Sequence, residues 1–359
     1  MRAVIYKSIA VALLVGVLGG AWLWTGYRDF AREPLDVGEP GLHLVVKPGM
    51  SLRRVADELH AQGALKHPRL LAWMARWRGV ADRVKVGEYH IQPGTTPSRL
   101  LTMLVEGRVI QYSLTLVEGW DFRQVMDAID SNPHLKHELK GLSAAKIMAR
   151  IGHPGEHAEG RFFPDTYHFP RGTTDVAFLQ RAYRDMHERL MHQWQGRAVG
   201  LPYKKPYDAL IMASIIEKET ALPSEREKIA GVFVRRLEKG MRLQTDPTVI
   251  YGLGPKFDGN LRRRDLAHDT PYNTYMHKGL PPTPIAMPGL ASIHAALHPA
   301  PGKALYFVAR GDGSHQFSDT LKEHDRAVIK YQLNGHARSF SSYNGKHDTH
   351  DDKDSAAKP

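Results

Sequence analysis

The sequence predicts an α+β protein: an N-terminal transmembrane helix, a small α/β subdomain and a larger mixed α+β domain. Three observations carry that expectation. An uncharged run opens the chain, a strand, turn and helix pattern recurs three times behind it, and apolar helical segments then alternate with loops rich in Gly, Pro and aromatic residues. The 359 residues, 42% hydrophobic and 24% charged, suffice for two or three domains with cores of their own. The absence of cysteine excludes disulfides, thiolate catalysis and Cys-ligated metal sites. Lys and Arg outnumber Asp and Glu by 49 to 38, and the net charge of +11 suits an anionic partner such as nucleic acid, phospholipid headgroups or an acidic polymer.

Residues 1–28 form a short head and the expected anchor. The run between Lys7 and Arg28, SIAVALLVGVLGGAWLWTGY, carries no charge and at helical rise matches the ~30 Å hydrocarbon core of a bilayer. Gly19 to Ala21 offer the small residues of a signal-peptide cleavage site, but Trp22, Trp24 and Tyr27 suit an interfacial belt and favour the anchor. Positive residues flank both ends, so charge gives little direction. A short head stays in the cytoplasm more easily, which puts the remainder outside it and argues against a nucleic-acid partner. Residues 29–40, with Pro34, Gly38 and Pro40, read as a linker.

Residues 41–130 repeat one design. LHLVV, the Pro48-Gly49 turn and Ser51 precede a helix with Leu52, Val55, Ala56 and Leu59 on one face. The second copy has Pro93-Gly94, Thr96 as cap and Pro97 at the first helical position; the third has Glu118-Gly119 and Asp121. Unequal spacing between copies rules out a solenoid. The stretch VVKPGMSLRRVADEL resembles the LysM-like modules of bacterial wall proteins, which implies binding to N-acetylglucosamine-containing glycans. A plain strand, tight turn and capped helix would give the same motif.

Residues 131–335 form the larger domain. In EGRFFPDTYHFPRGT, Phe162, Phe163 and Tyr167 offer either a sugar-stacking platform or core plugs, the latter favoured for Phe163, while Glu159 and Asp165 can accept from hydroxyls. A helix from about Tyr207 to Leu222 places Leu210, Ala213, Ser214, Glu217 and Ala221 on one stripe and Glu219 on another. Where that stripe opens on a groove, Glu217 is a carboxyl in a partly apolar wall, able to keep a proton and give it; a solvated charge at the helix end is the plainer alternative. Gln244, Thr245 and Asp246 make a polar knot suited to acetamido and hydroxyl groups, with Asp246 assigned mainly to capping the next helix. The Pro-rich segment 270–289 must be a structured loop in which Asn273, Thr274 and Tyr275 are candidate sugar contacts.

ASIIEKET, RLQTDPTVIYG, YNTY, GLPPTPIAMPG, HPA, LYFVARGDGSHQFSDTLKEHDRAV and the earlier EGRFFPDTYHF occur here in the order found in the endolytic murein transglycosylase (YceG-like) family. The resemblance spans residues 41 to 335. It implies a catalytic domain at 131–335 behind the LysM-like subdomain. It also implies a single-pass inner-membrane protein, N-terminus cytoplasmic and catalytic domain periplasmic, that cuts nascent peptidoglycan strands internally and so limits their length. Peptidoglycan synthases are then candidate partners, and no cofactor or metal is needed. The family's catalytic acid falls on Glu217. Arg161 departs from the family, where an aromatic residue is common.

A lytic transglycosylase needs one carboxyl where a glycosidase generally needs two. Glu217 would protonate the leaving oxygen and then take the muramyl C6 proton as that hydroxyl closes a 1,6-anhydro ring; Ser214, Gln244, Thr245, Asp246, Asn273, Tyr275 and Asp165 are expected around the sugar. A muramidase using Glu217 with Asp246 or Glu219, and a wall-binding scaffold without activity, are the alternatives. His294 and His298 stand four apart, but no HEXXH accompanies them. Ser214 lacks the Gly-X-Ser-X-Gly elbow. Arg310 to Gly313 read as a hairpin turn, and the polar tail over 336–359 as disordered.

Overall fold

A computed structural model describes residues 2–333, with side chains from residue 13 onward; the expected disordered tail lies outside the described residues. The chain forms two compact units. The first runs to Ser113 and includes Pro133–Lys136 and His168–Thr173; the second holds Leu114–Asn132, His137–Tyr167 and the chain from Thr174.

The first unit begins with helix α1 (Arg2–Arg32). Among the described residues no helix is long and apolar enough to cross a membrane. This corrects the expected transmembrane helix and, with it, the single-pass inner-membrane placement. The helix does not stop where the apolar run gives way to Arg28: it continues through Asp29 and Arg32 while burying Phe30 and Ala31 in the unit's core.

Strand β1 (Leu42–Val46) pairs antiparallel with β2 (Gly87–Ile91), Leu44 opposite Tyr89, and α2 (Leu52–Ala61) and α3 (Pro68–Trp77) lie between them in sequence. Helix α4 (Pro97–Glu106) follows. The inward faces of these elements, including Leu44, Val55, Leu59, Met74, Tyr89, Leu100 and Leu104, form one core. The caps are those the sequence predicts: Ser51 accepts from Arg54 N–H at 3.4 Å and Thr96 from Arg99 N–H at 3.2 Å. Gly49, Gly94 and Gly119 share nearly one backbone conformation, φ 76°, 79° and 80°, which an L side chain rarely adopts. The three-copy grammar is therefore physical as well as textual.

Strands β3 (Gln111–Thr115) and β4 (Thr166–Pro170) pair in a two-stranded sheet. In the second unit α5 (Phe122–Asp130) carries a full capping box between Asp121 and Gln124. Next come α6 (Ala144–Arg150), α7 (Asp175–Gln195), α8 (Pro206–Glu219), α9 (Arg226–Glu238), α10 (Asp246–Leu253), α11 (Arg263–Leu266) and α12 (Leu290–Leu297). The hairpin of β5 (Tyr306–Ala309) and β6 (His315–Ser318) turns at Arg310–Ser314, and α13 (Leu321–Gln332) ends the fold.

Helix α8 differs from the one-stripe reading. Every residue from Ala209 to Ile216 is buried, and α7, α9, α10 and α12 pack around it. A helix that is apolar on all sides belongs inside a domain. Its charges are confined to its ends, and the C-terminal one brings Glu217 to the site.

Candidate active site

The C-terminal end of a helix carries partial negative charge, so a carboxylate there needs donors. Glu217, with a side chain 6% exposed, has one donor and one neighbouring cation. Its Oε2 accepts from the backbone N–H of Gly289 at 2.9 Å, the residue that caps the N-terminus of α12. Its Oε1 lies 3.7 Å from Nη2 of Arg226, itself 12% exposed at the start of α9. A helix N-terminus and a guanidinium thus compensate a charge that α8 alone would repel.

A second carboxyl stands beside it. Glu118 precedes the turn glycine of the third strand-turn-helix copy, and a Cβ on Gly289 would collide with Glu118 Oε1. The carboxyl therefore rests on the bare Cα of the residue whose N–H serves Glu217. The loop carrying it is fixed at several points. Gly119 N–H donates to Met287 O at 2.8 Å, Met287 N–H to Trp120 O at 2.7 Å, and Lys218 Nζ to Gly119 O at 3.2 Å. Burial raises Glu118 above the ordinary carboxylate range, and the Glu217 charge adds to this while Arg226 opposes it. A cleft of about 660 Å³ opens here, lined by Glu118 and Arg226 with Asp165, Phe163, Arg189 and His294 among others.

Glu159 supports the same loop from behind. It is 3% exposed and accepts from Phe122 N–H at 3.0 and 3.2 Å and from the Tyr251 hydroxyl at 3.0 Å. Burial pushes its carboxyl up to about 7. Glu219 points elsewhere, accepting from the Thr245 hydroxyl, and burial pushes it too up to about 7. The two glutamates of ASIIEKET therefore go to different partners, as their positions on the helix require.

The remaining expected contacts fall in three places. Asp165 lines the cleft, 52% exposed, accepting from Thr166 N–H and 3.8 Å from Arg189. Ser214 is fully buried, donating to Ile211 O and accepting from Ile285 N–H at 3.0 Å, so it ties α8 to the Pro-rich loop. Asn273 is buried as well, donating to Leu266 O and His268 O and accepting from Tyr275 N–H. Gln244 accepts from Arg236 at 3.2 Å and takes φ 53°. Thr245, rather than Asp246, is the residue before α10; Asp246 lies in its first turn and accepts from the Tyr275 hydroxyl at 2.6 Å.

Phe162 and Tyr167 are core residues, and the Arg189 guanidinium covers Phe163 at 4.1 Å. Arg161 pairs with Glu156 at 3.1 Å and lies over the Tyr207 ring. His294 and His298 stack ring on ring at 4.3 Å, with His294 Nδ1 against Gln193 Oε1 at 3.1 Å. Sequence reasoning missed Glu118 and Arg226. For Glu118 a signal exists: at the position before the turn glycine the first two copies have Pro48 and Pro93, and only the third has a carboxylate.

The chain is similar to known proteins in sequence. The YceG-like family model matches residues 44–330. Over 336 residues the chain is 31% identical to the Bacillus subtilis (strain 168) protein named endolytic murein transglycosylase, covering 88% of this chain and 91% of that one. The Streptococcus pneumoniae (serotype 2, strain D39) protein of the same name is 25% identical over 365 residues, with 90% and 65% covered. A crystal structure of a YceG-like protein of Listeria monocytogenes aligns at TM-score 0.49 and 28% identity over 80% of this chain and 99% of that one.

Proposed function

This chain belongs to the YceG-like family, and we propose that it is a lytic transglycosylase that cuts peptidoglycan glycan strands internally and leaves 1,6-anhydroMurNAc ends. The observation that carries the reading is Glu217, a buried carboxyl held between the Gly289 N–H and Arg226, the latter lining a cleft. The names of the relatives supply the substrate class.

Protonated Glu217 gives its proton to the glycosidic oxygen between N-acetylmuramic acid and N-acetylglucosamine as that bond breaks. The muramyl C6 hydroxyl closes on the anomeric carbon of its own ring, and the Glu217 carboxylate takes its proton. The nucleophile is already part of the sugar, so proximity replaces the capture of a water. Arg226 offsets the negative charge that the carboxylate carries between the two transfers. Asp165 accepts from substrate hydroxyls along the cleft. Gln244, Thr245, Asp246, Asn273 and Tyr275 form a hydrogen-bonded bed that shapes the acetamido-binding side, and Ser214 holds the Pro-rich loop in register. Acting on nascent strands, such cutting limits glycan length and makes peptidoglycan synthases natural partners. The strand-turn-helix module of the first unit acts as a glycan-holding element.

One observation favours a second reading. Glu118 and Glu217 both contact Gly289, and two neighbouring carboxyls are what a muramidase-type hydrolase would use. Product chemistry separates the two. Purified protein incubated with uncross-linked glycan strands should yield anhydromuramyl ends by mass spectrometry; reducing muramyl ends would assign hydrolysis instead.

A further inference from the structure

We propose that Glu118 is a second catalytic carboxyl, holding the reaction's proton jointly with Glu217 across Gly289. The inference rests on the transglycosylase reading and gives that site a second acid. Four observations point to it. Glu118 lines the cleft, so its carboxyl can reach a bound strand. It packs on the Cα of Gly289, whose N–H serves Glu217, so the two carboxyls share one backbone unit. Its loop is held by Lys218, Met287 and, through Phe122, by buried Glu159, an investment in position that a solvated turn does not need. Arg226 faces both carboxyls and acts on each.

Burial and the neighbouring Glu217 charge both favour the protonated form of Glu118, so this carboxyl is suited to hold the proton that the reaction uses. The step then balances as follows. The shared proton passes to the glycosidic oxygen, which takes the electron pair of the broken C1–O bond. The C6 hydroxyl oxygen bonds to C1, and its proton returns to the pair, which ends as it began. At the midpoint both carboxyls are ionised and face the positive charge on the anomeric carbon, stabilising it when it is largest.

The test is Glu118→Gln in the full chain, assayed on uncross-linked strands. The expected result is a fall in kcat of about 100-fold or more, with KM and thermal stability near wild type. Removing Glu118 should also remove the alkaline limb that its raised carboxyl gives the kcat profile. Wild-type kcat, or a reduced kcat with that limb retained, overturns the proposal, since a residue that only holds the loop would not change the profile. Should Glu118→Gln not fold, the carbon-13 titration of the Glu118 carboxyl answers instead. Its midpoint should drop in Glu217→Gln, and an unchanged midpoint overturns the proposal. Product identity in the wild-type protein tests the transglycosylase reading separately.

Discussion

Gly289 donates its N–H to Glu217 at 2.9 Å while its bare Cα lies against the Glu118 carboxyl. Its φ of −76° is open to any residue, so the need for glycine here is one of space. Gly289→Ala should fold and displace Glu118, whose carboxyl is the flexible end of a long side chain. A shift of about 1 Å in a reacting group can cost about 100-fold, and a loss of roughly that size in kcat/KM, with the melting temperature little changed, is expected. Wild-type turnover in Gly289→Ala would show that Glu118 need not stand there.

Arg226→Gln removes the cation that faces Glu217 and lowers Glu118. Glu118 should then keep its proton to higher pH, moving the alkaline limb of kcat/KM upward. Stability should fall most at neutral and higher pH, where its charge is uncompensated, and recover as Glu118 protonates. Activity profiles and urea unfolding across the same pH range check both directions.

Glu159 and Glu219 make stability fall with rising pH. Burial lifts each from the ordinary 4.5 to about 7, so between those values the folded chain binds more protons than the unfolded one. The neutral carboxyls are fully accommodated below about 4.5, and each costs ~3 kcal/mol as pH passes through about 7. Unfolding free energies of Glu159→Gln should therefore decline less than those of wild type across this window. Parallel curves would contradict the shift.

Asp121 accepts from Gln124 N–H at 2.7 Å, and Asp121 N–H donates to Gln124 Oε1 at 3.0 Å. Asp121→Ala should cost about 1 kcal/mol, a drop of a few degrees in melting temperature for a unit of this size. Calorimetry measures it directly.

These residues also mark how far the sequence could be read. Local signals carried well: Asp121, Ser51 and Thr96 cap helices because their side chains act on N–H groups three residues on. The position of Glu217 near the end of an apolar run was equally visible, because it depends on α8 alone. Glu118 was not, since its meaning comes from Gly289 and Glu217, far along the chain and brought together only by folding. The burial of α8 on every side likewise depends on four neighbouring helices, so its periodicity suggested a stripe that the fold does not use. The apolar run at the N-terminus misled for a related reason: helical pitch and hydropathy are local, whereas the burial of Phe30 and Ala31 against the first unit's core is not.

The central claim is tested most directly by Glu217→Gln, a change of one oxygen to an amide nitrogen. Glu217→Gln should show wild-type circular dichroism and wild-type retention on glycan strands, yet no anhydromuramyl ends by mass spectrometry under conditions where the wild-type protein produces them. Undiminished release of those ends by Glu217→Gln would contradict it.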